Sequence, residues 1–384
     1  MNYRTRIINS LSAVGQPAWD ALVELQPDAN PFLSFAFLHA LHESGCASTE
    51  TGWQPHYLTL WHGTLLQAAL PLYLKTHSYG EYVFDWAWAD AYRRNGLDYY
   101  PKLLAAIPFT PVTGPRLLAR DAAARHALIA ALIALQEQGD VSSSHILYPG
   151  QAQASALQDA GFLLRYGVQF HWLNAGYRSF DEFLATLERK KRKNIVAERR
   201  KVHAAGVSFR HIGGAEASAA DWAFFNRCYR HTYAAHYSTP YLNLDFFRRI
   251  GAAMPENILL IVAERSGRPI ASSLLIHTAD TLYGRYWGTL EELPCLHFET
   301  AYYQPLDFCI ARGIRYFEGG AQGEHKMARG FLPQQTWSAH WLAHPAFADA
   351  VERFLQQESG GIAAYMHELN EHTPFRPGRQ PENF

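Results

Sequence analysis

Cysteine is scarce and none of it is paired. The four cysteines (Cys46, Cys228, Cys295, Cys309) are scattered and no CxxC step occurs, a pattern of reduced thiols and not of a disulfide framework. The first residues, MNYRTRII, lack the apolar run of a signal peptide. No stretch approaches the roughly 20 apolar residues needed to span a bilayer, so a cytoplasmic protein without membrane insertion is expected. An excess of charge is missing as well. Lysine plus arginine number 34 against 35 acids, a formal net charge of −1, which argues against DNA binding or membrane coating and leaves only local anion binding. Also absent are a G-x-S-x-G elbow, a Walker A loop, a G-x-G-x-x-G fingerprint and an HExxH pair.

What is present is an ordinary globular composition, 48% hydrophobic and 14% aromatic over 384 residues, enough for one or two domains with ample core. The first part reads as mixed α/β. Its pattern predicts a helix over 34–44, a hairpin of strands 57–61 and 65–74, and a strand entering a loop over 109–118. A helix over 121–138, a strand over 145–148, a helix over 152–160 and a strand over 162–173 complete it. The aromatic and charged stretch 86–100 fits no one type. The second part repeats the order, with a long helix over 179–204, a strand over 207–212 and helices over 219–235 and 244–253. Strands over 258–265, 270–277 and 281–287 follow, then a helix over 298–312 and a strand that ends at Glu318. Two such units in succession predict tandem α/β (α+β) domains, 1–175 and 176–384. The tail beyond Pro374 reads as extended and weakly ordered.

The densest chemistry lies in 317–331, FEGGAQGEHKMARGF. A short strand delivers Glu318 into a loop whose glycines Gly319, Gly320 and Gly323 let backbone approach a ligand and present N–H groups to an anion. Glu324, His325, Lys326 and Arg329 converge behind it, and five ionisable groups in so short a space between apolar flanks point to a site. A second feature is the basic run 189–201, RKKRKNIVAERRK. On a helix it forms a ridge, including Arg192, Lys193, Arg199 and Arg200, able to meet phosphates. Strand alternation places Tyr283, Arg285 and Trp287 on one face, and His171-Trp172 ends the last strand of the first unit. His297 and Glu299, with Glu324, His325, His340 and His344, form only a weak metal-ligand pattern among 19 histidines, so no metal is expected. Pro305 inside the 298–312 helix demands a kink or a fresh helix start.

Four segments carry a family resemblance that runs through nearly the whole chain. They are 108–117 (PFTPVTGPRL), His171-Trp172 with 180–184 (FDEFL), the basic helix, and 296–304 (LHFETAYYQ) with 317–333. On these the chain resembles the FemAB-like family of N-acyltransferases, built from two tandem GNAT-like domains and connected with peptidoglycan biosynthesis or recognition. The resemblance implies a donor that is either acyl-CoA or aminoacyl-tRNA, a primary-amine acceptor such as a peptidoglycan-related precursor, and no tightly bound cofactor. Two departures stand out. The Q/R-x-x-G-x-G/A loop of ordinary GNAT enzymes is replaced by 288–296 (GTLEELPCL), and no helical-hairpin insertion of the tRNA-associated kind is present. The family's Phe-Lys step before Phe-Gly has altered spacing here, with His325-Lys326 preceding Gly330-Phe331.

For amine acylation the acceptor must lose a proton, which assigns Glu318, then Glu299 and His325, as candidate bases. Lys326 and Arg329, with backbone N–H groups of Gly319, Gly320 and Gly323, would stabilise negative charge. The ridge Arg192, Lys193, Arg199 and Arg200 would hold donor phosphates, and His171, Tyr283, Arg285 and His297 would contact substrate. Two other readings compete: a catalytically silent recognition module for a cell-wall precursor or protein partner, and a metal-dependent hydrolase using His297, Glu299 and His325. A monomer or weak dimer is expected, since tandem domains already form a pseudo-dimer.

Overall fold

The computed structural model describes residues 3–321 and 323–381. Two compact units result, Met1–Val168 with Gln335–Tyr365, and Gln169–Gln334 with Met366–Phe384. Each unit therefore draws on two separate stretches of chain.

In the first unit, Arg4–Ile8, Tyr57–His62, Leu65–Leu70 and Leu118–Ala119 form an antiparallel sheet in that order. A second set runs Trp53–Pro55, Leu72–Lys75, Lys102–Ala105, Ser143–Leu147, and then 338–342 of the strand Leu332–Leu342. The pairing between Lys102–Ala105 and Ser143–Leu147 is parallel. Leu128, Ile129 and Leu132 of the helix Ala122–Gln138 close the core against Leu58, Leu70 and Leu103.

In the second unit the strand order is Val207–Gly213, Ile258–Arg265, Arg268–His277, Thr281–Thr289, Tyr316–Glu318, then residues 171–173. Every pairing is antiparallel except that between Thr281–Thr289 and Tyr316–Glu318. Helices Ala219–Ala235 and Leu244–Ala253 cover one face. A Cβ on Gly288 would lie 2.1 Å from the Cys228 carbonyl oxygen, so the first of these helices rests directly on strand backbone. Val202 of the helix Arg189–Ala204 packs with Ile270 and Leu296 in a separate cluster.

Several expected elements agree with the structure because their caps are written locally. Ser218 and Asp221 form a capping box at Ala219–Ala235, and the Asn243 side chain accepts from Phe246 N–H at Leu244–Ala253. Others differ. The long helix expected over 179–204 is two, Phe180–Thr186 and Arg189–Ala204. At the break Leu187 bridges Phe375 and the Glu188 N–H donates to the Pro374 carbonyl. The tail expected to be loose is thereby held, with Phe375 only 2% exposed. Its residues 382–384 lie outside the described residues. Of the strand expected over 109–118 only Leu118 is in a strand, Leu118–Ala119, and the preceding strand is Lys102–Ala105. The 65–74 strand divides at Pro71 into Leu65–Leu70 and Leu72–Lys75, which belong to different sheets. The untyped stretch 86–100 holds the helix Trp86–Arg94. The helix expected over 298–312 is a single turn at Leu296–Phe298, a π-helical turn at Glu299–Tyr303 and an α-helix at Gln304–Arg312. Pro305 follows the π-helical turn directly, so the irregularity expected at this proline falls in the residues just before it. Among the described residues no helix is long and apolar enough to cross a membrane.

Candidate active site

Among the described residues the parallel pair of the second unit is short. Thr281, Leu282 and Tyr283 partner Tyr316, Phe317 and Glu318, and the pairing ends there. On its other edge the longer strand is irregular: Leu274 faces Tyr286 and Leu275 faces Gly284, which leaves Arg285 as an extra residue. Such a bulge bends a strand and re-aims a side chain. Past Glu318 the shorter strand turns into Gly319-Gly320. At this point lies a cavity of about 110 Å³ lined by Gly284, Arg285, Trp287, His297, Tyr302 and Gly319. The bulge also corrects the alternation expected from the sequence. Ile276 pairs with Tyr283 and Leu274 with Tyr286, so Tyr283 shares the face of Tyr286 and not that of Trp287.

The loop after Glu318 returns as a 3-10 turn, Glu324–Arg329, closed by Gly330. Gly330 has φ +87°, and a Cβ there would meet the Phe183 ring at 2.7 Å, so this corner requires glycine on two counts. The turn directs Lys326 inward, 2% exposed. Its stem passes Gly319, where a Cβ would lie 3.2 Å from Cδ and Cε, and its Nζ donates to the Gly320 carbonyl at 2.9 Å. Burial, reinforced by Arg285, pushes the Lys326 ammonium down to about 7. His297 stacks on Trp287 with ring centres 4.5 Å apart. Burial lowers His297 to about 4, with His325, Arg329 and Lys326 adding to the effect, so its imidazole is neutral at neutral pH. His325 is exposed on the turn, and its Nε2 lies 3.3 Å from the Tyr302 hydroxyl. Partial burial and then Arg329 and Lys326 lower its pKa. Tyr302, raised to about 12 by burial, keeps its proton.

Glu318 is half-buried and stands in register between Tyr283 and His171. His171 is lowered to about 3 by burial and then by Lys326, so it too is neutral. Glu318, Gly319, Gly320, His325, Lys326, Arg285 and His297 are thus brought together at or beside one cavity.

Other expected site residues have different partners. Glu299 is fully buried and accepts from Arg199 Nε at 3.2 Å and from Gln304 Nε2 at 2.8 Å. Arg199 also donates to Asp307 at 2.6 Å and lies 4.3 Å from the Phe180 ring centre. This pair ties the basic helix to the turn region; it does not line the cavity. Lys193 and Arg200 are exposed and Arg192 half-buried on that helix, while Arg199 faces inward. Arg329 donates to the His325 carbonyl at 2.7 Å and to Glu198 at 3.0 Å, and its guanidinium lies 3.5 Å from the Phe298 ring centre. Glu198 additionally accepts from the Tyr303 hydroxyl. Sequence reasoning missed Glu198, although it is the sole acid within the basic run 189–201, and that isolation is a signal that it has a partner. The extra residue of the π-helical turn shifts the helical phase, so that Tyr302 reaches His325 while Tyr303 reaches Glu198. His340 is buried in the first unit against His145 at 2.8 Å. Among the described residues no group of three or more His, Cys, Asp or Glu side chains is placed to hold a metal.

Glu299→Gln is expected to lower unfolding free energy by about 1.5–3 kcal/mol, the size of a hydrogen bond to a charged group. Ligand affinity at the cavity should stay near the wild-type value. Chemical denaturation alongside ligand titration checks this; an unchanged midpoint would show that the buried pair contributes nothing to stability.

A mixed sheet with a short parallel pair and flanking helices has the FemAB/GNAT type of fold. Residues 10–377 match the model of the FemAB-like family, described as peptidoglycan biosynthesis/recognition, and the chain belongs to that family. Among solved structures, FemX is similar at 12% identity, covering 92% of this chain and 100% of its own, with a TM-score of 0.56. L-PGS from Bacillus licheniformis is similar at 10% identity, covering 90% of this chain and 97% of its own, with a TM-score of 0.52. Likeness at such identities is likeness of fold. No curated protein matches the chain.

Proposed function

We propose that the second unit transfers an activated acyl or aminoacyl group to a primary amine, on an acceptor related to a peptidoglycan precursor. The observation that carries the reading is the cavity at the end of the parallel pair, lined by Arg285, His297, Tyr302 and by Gly319, which follows Glu318 in the chain and packs against the buried Lys326 stem. The acceptor nitrogen attacks the donor carbonyl, and the Glu318 carboxylate takes the proton that nitrogen loses. The protonated fraction of Lys326, together with Arg285 and the N–H groups of Gly319 and Gly320, balances the charge that develops on the carbonyl oxygen. Collapse breaks the bond to the thiolate of acyl-CoA or to the ribose oxygen of aminoacyl-tRNA. That leaving group takes the proton of the Tyr302 hydroxyl; Tyr302 regains one from solvent on the side that the exposed His325 neighbours, and Glu318 releases the amine's proton to solvent, so both groups are restored. Arg192, Lys193 and Arg200 meet the donor's phosphates from the helix, and Glu198 positions the turn through Arg329. The donor is a co-substrate, and no resident cofactor is needed.

The test is equilibrium binding of labelled acetyl-CoA, competed with bulk charged and uncharged tRNA. Retention of acetyl-CoA in the presence of tRNA supports an acyl-CoA enzyme. Displacement by charged but not uncharged tRNA supports aminoacyl transfer. With the donor in hand, Glu318→Gln should abolish turnover while leaving donor affinity intact. Failure of both donors to bind would sink the transferase reading in favour of a recognition module.

A further inference from the structure

The first unit carries an open concavity that has no part in the proposed chemistry. It measures about 440 Å³, inside the ~300–1,000 Å³ range of small-ligand sites. One wall is the helix Trp86–Arg94, whose residues Trp86, Ala89, Asp90 and Arg93 follow i, i+3, i+4, i+7 spacing. Two of the four are charged, so this face is made for solvent or a polar ligand and not for a core. The core-facing side of the helix is Trp88 and Tyr92, which are 6% and 2% exposed. The other wall is Tyr99 and Tyr100, with Leu97 and Asp98 at the rim.

The tyrosine rings are fixed from behind. The Tyr99 hydroxyl donates to Asp85 at 2.6 Å and lies 3.0 Å from His145 Nε2, and the Tyr100 hydroxyl lies 2.9 Å from Ser78 Oγ. Lys102, buried among Ser78, Glu81 and Asp85, anchors these partners. The aromatic surface continues outside the concavity. Tyr79 is 57% and Phe84 56% exposed, Trp86 is 41% exposed, and the Tyr79 and Trp86 ring centres are 5.0 Å apart. Of the large hydrophobic side chains left exposed in the described residues, four fall within 79–97. Clustering of that kind marks a binding surface.

The polar groups narrow the ligand. Asp90 is held by Arg93 and Arg94, so it offers no free charge to a cation, and Asp98, also in the lining, is exposed. Carboxylate and guanidinium charges nearly cancel around the rim, which favours neither a strong anion nor a strong cation. Aromatic faces carry negative quadrupole density that attracts polarised C–H bonds, and planar carboxylate and guanidinium groups bond hydroxyls in pairs. A pyranose ring offers both, with C–H bonds on its faces and hydroxyls around its edge. We propose that the concavity between the Trp86–Arg94 helix and Tyr99-Tyr100 is a saccharide-binding site, with Trp86 as stacking platform and Asp98 as hydroxyl acceptor. The site lies wholly within the first unit and stands whether or not the second unit transfers acyl groups.

The experiment is fluorine NMR of the full chain labelled with fluorotryptophan, in which Trp86→Phe identifies one resonance among the ten tryptophans. N-acetylglucosamine, glucose and the β-linked disaccharide of each are titrated, with choline and a leucine-rich tripeptide as competing ligand classes. The expected result is a saturable shift of the Trp86 resonance with at least one saccharide. Asp98→Asn, an exposed change that leaves the fold alone, should raise the half-saturation concentration about fivefold or more. A Trp86 resonance that stays still with every saccharide overturns the proposal. So does a response to choline or the tripeptide alone, and so does a saccharide response that Asp98→Asn leaves unchanged.

Discussion

Replacing Lys102 by methionine is expected to lower the unfolding free energy by about 3–5 kcal/mol, the cost of removing one partner from a buried ion pair. Lys102 is fully buried and its Nζ reaches Ser78 at 2.7 Å, Glu81 at 2.8 Å and Asp85 more closely still. Burial alone would depress its pKa, but Glu81 and Asp85 outweigh that and leave it raised. Asp85 experiences the opposite balance. Burial raises it, and Lys102 with His145 brings it below its ordinary 3.8. A carboxyl depressed in the fold contributes stability above its unfolded pKa and loses it as pH falls through the folded value. The deficit of Lys102→Met should therefore be widest above neutral pH and should narrow towards pH 4, where protonation relieves the stranded carboxylates. Urea denaturation at several pH values reads this directly. A deficit under about 1 kcal/mol at neutral pH, the size of a surface ion pair, would mean that water reaches this cluster.

The second large effect is on chemistry. In a transfer assay built on whichever donor binds, Lys326→Met should reduce turnover by about 10²–10³, as removal of one oxyanion-stabilising donor does. Stability should move the other way. Lys326 is buried with its Nζ on a backbone carbonyl, and its pKa falls to about 7 from an ordinary 10.5. Between those values the unfolded chain binds a proton that the folded chain does not, so wild-type stability rises with pH across that window. Methionine removes the titration. The variant should be the more stable protein below pH 7, with the advantage shrinking as pH climbs towards 10.5. If the charged form does the work, wild-type turnover falls as pH passes upward through about 7. Turnover of the variant within a factor of two of wild type would remove Lys326 from the mechanism.

Legibility from sequence varied with the range of the interactions involved. Glu318, His325 and Lys326 were legible because they are close in the chain, and a glycine-rich loop between apolar flanks announces itself locally. Glu198 and Tyr302 were not. Their roles rest on contacts with Arg329 and His325, more than 20 residues away, and on a π-helical turn that the sequence pattern of 298–312 conceals. Tyr283 was placed on the wrong face because one bulged residue reverses every side chain beyond it.

By itself the sequence determined the alternation of helices and strands, the helices over 219–235 and 244–253, the mixed α/β class and the membership shown by segments spread along the chain. Those are properties of neighbouring residues, written in spacing and cap chemistry. Tertiary structure alone decided which charges are engaged. Arg199 and Glu299, read from sequence as a phosphate-binding group and a candidate base, neutralise each other in the interior, while buried Lys326 donates to a backbone carbonyl. Burial is set by what packs from elsewhere in the chain, and the free energy of a charge depends on that environment more than on its neighbours in sequence.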